Sequence, residues 1–218
     1  MARRSRTPLR VALIYNSDTG SMPDRPGDQG NTAELKRLIR QMARALRSTG
    51  CDVVTLPLHH DLLHFQRRLR HLAPDVVFNQ YEDVVHGAVY EMRLAAIVRM
   101  MGYPVTGSPA LALGLHRDKY LAASILRGVG VPVPPQTVLL ERIGDANGRK
   151  WQFPVIVQPG REHAGVGLDR DSVVSAKKAL RERAAHLIRT YRQPALAQSF
   201  LPGREFNVSV IGGRRMRV

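Results

Sequence analysis

Two segments of this chain hold residues suited to a phosphorylated ligand: FPVIVQPGREHAGVGL at 153–168 and LPGREF at 201–206. In the first, a short apolar run reaches Gln158 and Pro159 and opens into a loop with glycines at 160, 165 and 167. Where no Cβ intervenes, backbone N–H groups can come close to a phosphate, so Gly165, Val166 and Gly167 are candidate contacts. In the second, Glu205 is a carboxylate of the kind that accepts hydrogen bonds from both hydroxyls of a ribose. The loop alone is equally consistent with a hairpin turn. It is not a P-loop, because no Gly-Lys-Ser/Thr follows, and its glycine spacing is not that of a dinucleotide fingerprint. Together the two segments point to nucleotide-dependent chemistry.

Positioning these groups requires a framework, and hydrophobic periodicity supplies one. An apolar run at 11–15 is followed by a helical pattern at 32–49, with Leu35, Leu38, Ile39, Met42 and Leu46 on one face. Strand patterns at 53–56 and 76–78 alternate with helical ones at 62–72 and 89–101, and the three helical patterns end near Gly50, Pro74 and Gly102. Such alternation predicts an α/β fold with a parallel sheet covered by helices and ligands at the carboxyl ends of its strands. From Thr106 the pattern changes. Ser108 and Pro109 read as a cap and first turn, a helix at 119–127 closes at Gly128 and Gly130, and VPVPP marks a domain junction. Beyond it the sequence predicts a connection at 141–150, strands at 154–157, 172–174, 195–198 and 206–211, and a helix at 176–191. The buried stripe of that helix is Leu180, Ala184, Leu187, Ile188 and Tyr191.

The formal charge of +15 raises nucleic acid as a partner. The arginines are dispersed, however, with Arg37, Arg40, Arg44 and Arg47 on one helix and Arg67, Arg68 and Arg70 on another, and aromatics make up only 6%. Solvated helix faces account for them, and no nucleic-acid partner is expected. Cys51 is the single cysteine and opens an apolar run, which predicts a small buried thiol in a reducing, cytoplasmic setting. The basic start lacks a long apolar stretch behind it, and no membrane association is expected. His60 and His64 have the i, i+4 spacing of a metal pair beside His59; with no third ligand in sequence, surface histidines at a helix start are the preferred reading.

In chain order, TGS at 106–108, RDK at 117–119, GVPVPP at 130–135, FPVIVQPGRE, GVG at 165–167 and LPGREF resemble the D-alanine–D-alanine ligase-like branch of the ATP-grasp enzymes, over about residues 75–212. The resemblance implies a parallel-sheet amino-terminal domain at 1–104, an α+β lid domain at 105–200 and the opening strands of a third domain at 201–218. It implies ATP-dependent joining of a small-molecule carboxylate to an amine through an acyl phosphate, with Mg2+ and with a homodimer admitted. Lys119 stands where the family has a lysine reaching the phosphates. Gln198, Ser199, Phe200 and Leu201 stand where an interdomain strand meets adenine, and Glu205 where a carboxylate holds the ribose. His86, with Gly87, matches a pair on the substrate side and reads equally as a helix cap.

The departures from the family pattern bear on function. Gln158 replaces a second phosphate-binding lysine, His163, Ala164 and Gly165 replace substrate-orienting serines, and the first loop, 17–31, is long. Glu34 is the nearest carboxylate to that loop, but Asn31 to Glu34 reads as a helix capping box. The family's Asp and Glu-x-Asn magnesium ligands have no counterpart before Val218, so no metal ligand is assigned and this chain is expected not to turn over. The alternative reading is a non-catalytic relative that binds a nucleotide or a partner.

Overall fold

A computed structural model describes residues 7–16, 32–58, 61–82, 88–162 and 165–212. The chain divides into two compact units, 1–117 and 118–218.

The first unit is a three-stranded parallel sheet in the order β2-β1-β3, formed by β1 (Arg10–Asn16), β2 (Asp52–Leu58) and β3 (Val76–Gln80). Helix α1 (Thr32–Ser48) follows β1, α2 (Leu62–Leu72) follows β2, and α3 (Ala88–Met100) and α4 (Ala110–Arg117) come after β3. The central strand is apolar from Val11 to Ile14 because helices cover both of its faces. Val11 and Leu13 pack with Ile39 and Ala43 of α1, while Ala12 and Ile14 pack with Phe65 and Leu69 of α2 and Leu94 and Val98 of α3. The alternation read from the sequence is thus present. One detail differs: Leu38 is 43% exposed, and Ala43, one turn on from Ile39, takes the buried place expected of it. Cys51 is half-buried and lies 3.4 Å from Thr49 Oγ1.

The second unit begins with α5 (Lys119–Gly128), whose first turn is capped by Asp118 Oδ1 accepting from the Leu121 amide at 2.9 Å. Its sheet is antiparallel in the order β4-β7-β5-β6, formed by β4 (Thr137–Leu140), β5 (Val155–Pro159), β6 (Val173–Val174) and β7 (Ala195–Ser199). Strand β4 was not predicted, because TVLL is only four residues long and follows prolines. The 141–150 connection contains a short 3-10 helix at Ile143–Ala146. Helix α6 (Lys177–Tyr191) lays Leu180, Ala184 and Leu187 against Val155, Val157, Ala195 and Ala197. Since side chains alternate along a strand, Ile156, Gln158, Leu196 and Gln198, together with Thr137, occupy the opposite face.

The strand predicted at 206–211 is not formed at 206–210. Phe206, Val208 and Val210 alternate as a strand should, but they are 68%, 65% and 56% exposed, and no described strand pairs with them. Extended backbone without a neighbour has no ladder to complete.

Phe65 is 2% exposed at the centre of the cluster beneath α2, whereas Leu63 on the same helix is 67% exposed. Phe65→Ala is expected to cost about 3–5 kcal/mol in urea unfolding of this unit, and Leu63→Ala less than about 0.5 kcal/mol.

Candidate functional site

In the second unit Lys119, Gln158 and the glycine loop stand at the carboxyl end of β5, while Ser199, opposite Val155, and the Phe200 amide, bonded to the Pro154 carbonyl, stand at its amino end. Lys119, the first residue of α5, donates from Nζ to the Pro159 carbonyl at 3.1 Å, and its own amide donates to the Gly160 carbonyl at 3.2 Å. The ammonium is therefore held where β5 opens into the glycine loop. Burial pushes its pKa down, and the nearby Glu162 carboxylate pushes it back up. Glu162 is only 7% exposed and accepts from Gln193 Nε2 at 2.8 Å. A cation short of solvation favours an anion beside it, and the buried Glu162 carboxylate supplies part of that negative charge itself and opposes a second anion.

The glycine loop is tied down on both legs. On the outgoing leg, Gln193 Oε1 accepts from the Arg161 amide at 2.8 Å, and Arg161 also pairs with Asp118 at 3.9 Å. On the returning leg, Arg183 of α6 reaches the Gly167 carbonyl at 2.7 Å, Asp169 Oδ2 at 2.9 Å and Ser172 Oγ at 3.0 Å. Gly167 has φ +74°, and a Cβ there would stand 2.5 Å from Pro159 Cγ, so both conformation and space require glycine. At Gly165, φ is +76° with open space around it, and Val166 between them is half-buried. At Gly160 a Cβ would meet the Pro194 carbonyl oxygen at 3.0 Å.

Gln158 and Gln198 are joined across β5 and β7, with Gln158 Nε2 donating to Gln198 Oε1 at 3.1 Å. The Ser199 amide is committed to the Gln136 carbonyl and the Phe200 amide to the Pro154 carbonyl, at 2.9 and 3.0 Å. Leu201 and Glu205 are exposed just beyond, and among the described residues Glu205 makes no hydrogen bond or ion pair. Neither Arg161 nor Arg204 is paired with it: Arg161 pairs with Asp118, and Arg204 lies over the Phe206 ring at 5.0 Å.

Other candidates fall elsewhere. His86, His59, His60, His163, Ala164 and Asn31 lie outside the described residues. His64 is exposed in the first turn of α2, where its amide donates to Asp61 Oδ1 at 2.8 Å, as a helix-start residue should. Glu34 is exposed near Arg37 at 3.9 Å. No group of three or more His, Cys, Asp or Glu among the described residues could hold a metal ion, so they do not fit a magnesium site. No helix among them is long and apolar enough to cross a membrane.

Sequence reasoning missed Arg183, Asp169, Glu162 and Gln193. Arg183 had a signal, since it falls one turn on from Leu180 in the buried stripe of its helix. Gln193, following α6, had none.

No family model matches the chain. A D-alanine–D-alanine ligase of Ruegeria pomeroyi is 32% identical to it over 100% of the chain and 64% of that protein. Another, of a Marinomonas species, is 31% identical over 84% of the chain and 57% of that protein. Among solved structures, a D-alanine–D-alanine ligase of Bacillus anthracis complexed with ATP superposes with a TM-score of 0.66 at 18% identity, covering 89% of this chain and 60% of that one. The fold is thus that of the ATP-grasp ligases. The chain belongs to the D-alanine–D-alanine ligase-like ATP-grasp family, and it spans 57% and 64% of the two relatives' lengths.

Two expectations follow from the loop. Gly167→Ala should lower stability by about 1–3 kcal/mol in urea titration, and Gly165→Ala by about 1 kcal/mol or less. Burial of Asp169 opposes its charge, but hydrogen bonds from Arg183, the Asp171 amide and Ser172 outweigh that and hold its pKa below the ordinary carboxylate value. A carboxyl depressed in the folded state contributes stability that is full above its unfolded pKa of about 3.9 and is lost as pH falls through the depressed value. The difference in urea midpoint between wild type and Asp169→Asn should therefore be constant near neutrality and close up below about pH 4.

Proposed function

We propose that this chain supplies the nucleotide-holding part of an ATP-dependent ligase of the D-alanine–D-alanine ligase-like group. The observation that carries the reading is the Lys119 ammonium fixed at the mouth of the glycine loop, with Gln198 joined to Gln158 on the same sheet, and Ser199 to Leu201 and a Glu205 carboxylate without a partner among the described residues following at the other end of β5. In this reading Lys119 is a point charge toward the phosphates, the amides of Gly165, Val166 and Gly167 are further donors, and Glu205 accepts from the ribose hydroxyls. The lid domain is assigned to 105–200 and the beginning of the third domain to 201–218. His86 is assigned to the substrate side, and the chain to the cytoplasm, with a homodimer admitted as its assembly.

The reaction proposed for the whole protein is phosphorylation of a carboxylate by ATP, attack of an amine on the acyl carbon, and release of phosphate. That reaction needs divalent ions to neutralise the transferring group, and no described residues are placed to hold them, so no phosphoryl-transfer step is assigned to this chain. A second reading, a nucleotide-binding relative without ligase activity, is favoured by one observation. Gln158, at the place of a phosphate-binding lysine, has its amide nitrogen engaged by Gln198.

Thermal unfolding with ADP tests the reading. Binding raises the midpoint of the wild-type chain, by an increment that follows ligand concentration over Kd. Lys119→Ala and Glu205→Ala should each abolish most of that shift. Because the Lys119 ammonium is desolvated, Lys119→Met should also leave the ligand-free midpoint unchanged or higher. An undiminished shift in both Lys119 and Glu205 variants would place the ligand elsewhere.

A further inference from the structure

The sheet face opposite α6 carries a chain of side-chain hydrogen bonds whose direction is set at one end by the main chain. Thr137 Oγ1 donates to the Pro134 carbonyl at 3.0 Å. A carbonyl only accepts, so the hydroxyl proton is committed there and the same oxygen meets other neighbours as an acceptor. Gln198 Nε2 donates to it at 3.4 Å, which turns Gln198 Oε1 toward β5, where it accepts from Gln158 Nε2 at 3.1 Å. Amide oxygen and nitrogen are nearly the same in shape, so packing alone would not choose between the two orientations. The Pro134 carbonyl chooses: turning Gln198 over would set an acceptor against Thr137 and a donor against Gln158. The register supports the same arrangement, because Thr137 and Ile156 both stand opposite Gln198 and Gln158 lies two residues on from Ile156.

Thr137 is buried, while Gln198 and Gln158 are only half-buried. The relay therefore ends on the accessible side in Gln158 Oε1, which accepts from no described residue, and Gln198 Oε1 keeps a second lone pair. Both are acceptors. An oxygen that only accepts, such as the 6-oxo group of guanine, is mismatched to them, whereas the 6-amino group of adenine is a donor. A glutamine free to turn its amide reads either base, and one tied at both ends reads one.

We propose that Thr137 is a positioning residue that, through Gln198 and Gln158, holds their carbonyl oxygens toward the nucleotide and makes the site select a 6-aminopurine nucleotide over a 6-oxopurine one. This rests on the nucleotide-binding reading above and assigns the device that would set its base preference.

Calorimetric titration of the full chain with ADP and with GDP tests it. The wild type should prefer ADP by about tenfold or more, the size expected when one buried acceptor is left facing another. Thr137→Val, close in shape but without the hydroxyl, should bring the two affinities to within about threefold, chiefly through tighter GDP binding, while Thr137→Ser should keep the preference. If ADP binds and Thr137→Val lowers the thermal midpoint without changing the ratio, Thr137 is merely structural and the proposal is overturned, with the nucleotide reading intact. A wild type that does not discriminate overturns it as well. If neither nucleotide binds the folded wild type, both readings fail together. Should Thr137→Val not fold, Gln158→Leu removes the relay's outer acceptor and should also abolish the preference; an unchanged ratio there overturns the proposal.

Discussion

Pairing of β7 with β5, in the register that sets Ile156 opposite Gln198 and Gln158 opposite Leu196, governs the candidate site. It sends Val155, Val157, Ala195 and Ala197 to the α6 core and leaves the two glutamines on the other face, close enough to share a hydrogen bond. A slip of one residue would bury the amides and expose the alanines. The same strand delivers Pro159, whose carbonyl receives Lys119 and whose ring forbids any side chain at Gly167. Cation, loop and amide pair are thus consequences of one ladder.

Against that frame, the replacement of a lysine by Gln158 is more than the loss of a charge. A lysine has no acceptor and could not have ended the relay from Thr137; it would have left Gln198 Oε1 facing an ammonium. With glutamine there, Lys119 remains as the cation held at the end of β5 among the described residues, and Glu162 lies near enough to influence it. Affinity for phosphate is then shared among Lys119, the loop amides and whatever the rest of the protein contributes, while the amides are free to act on the base. The loop itself is anchored by a buried arginine on one leg and a glutamine on the other, so its legs are fixed independently of any ligand.

Much of this was legible in the sequence, for identifiable reasons. The helices at 62–72 and 176–191 announce themselves through period and flanking residues, and the chain order of GVPVPP, FPVIVQPGRE and LPGREF carries the family even where Gln158 departs from it. Strand β4 was not legible, since four residues after a run of prolines give no period to read. Leu38 was expected in the buried stripe but is 43% exposed, while Ala43, four residues on from Ile39 and so on its face of the helix, is buried. The anchoring of the loop was hidden for a different reason. Arg183 meets Asp169, and Gln193 meets Glu162, only after the sheet has brought α6 beside the loop, so no local pattern encodes the pairs. The strand expected at 206–211 shows the converse: its alternation is plain, yet a strand also needs a partner.

The most direct test of the central claim is an NMR titration of the 15N-labelled chain with ADP. The account predicts saturable shifts concentrated at Lys119, Gly165 to Gly167, the Gln158 and Gln198 side-chain amides, Leu201 and Glu205. Saturable shifts confined to other surfaces, or none at millimolar ADP in a well-folded sample, would contradict it.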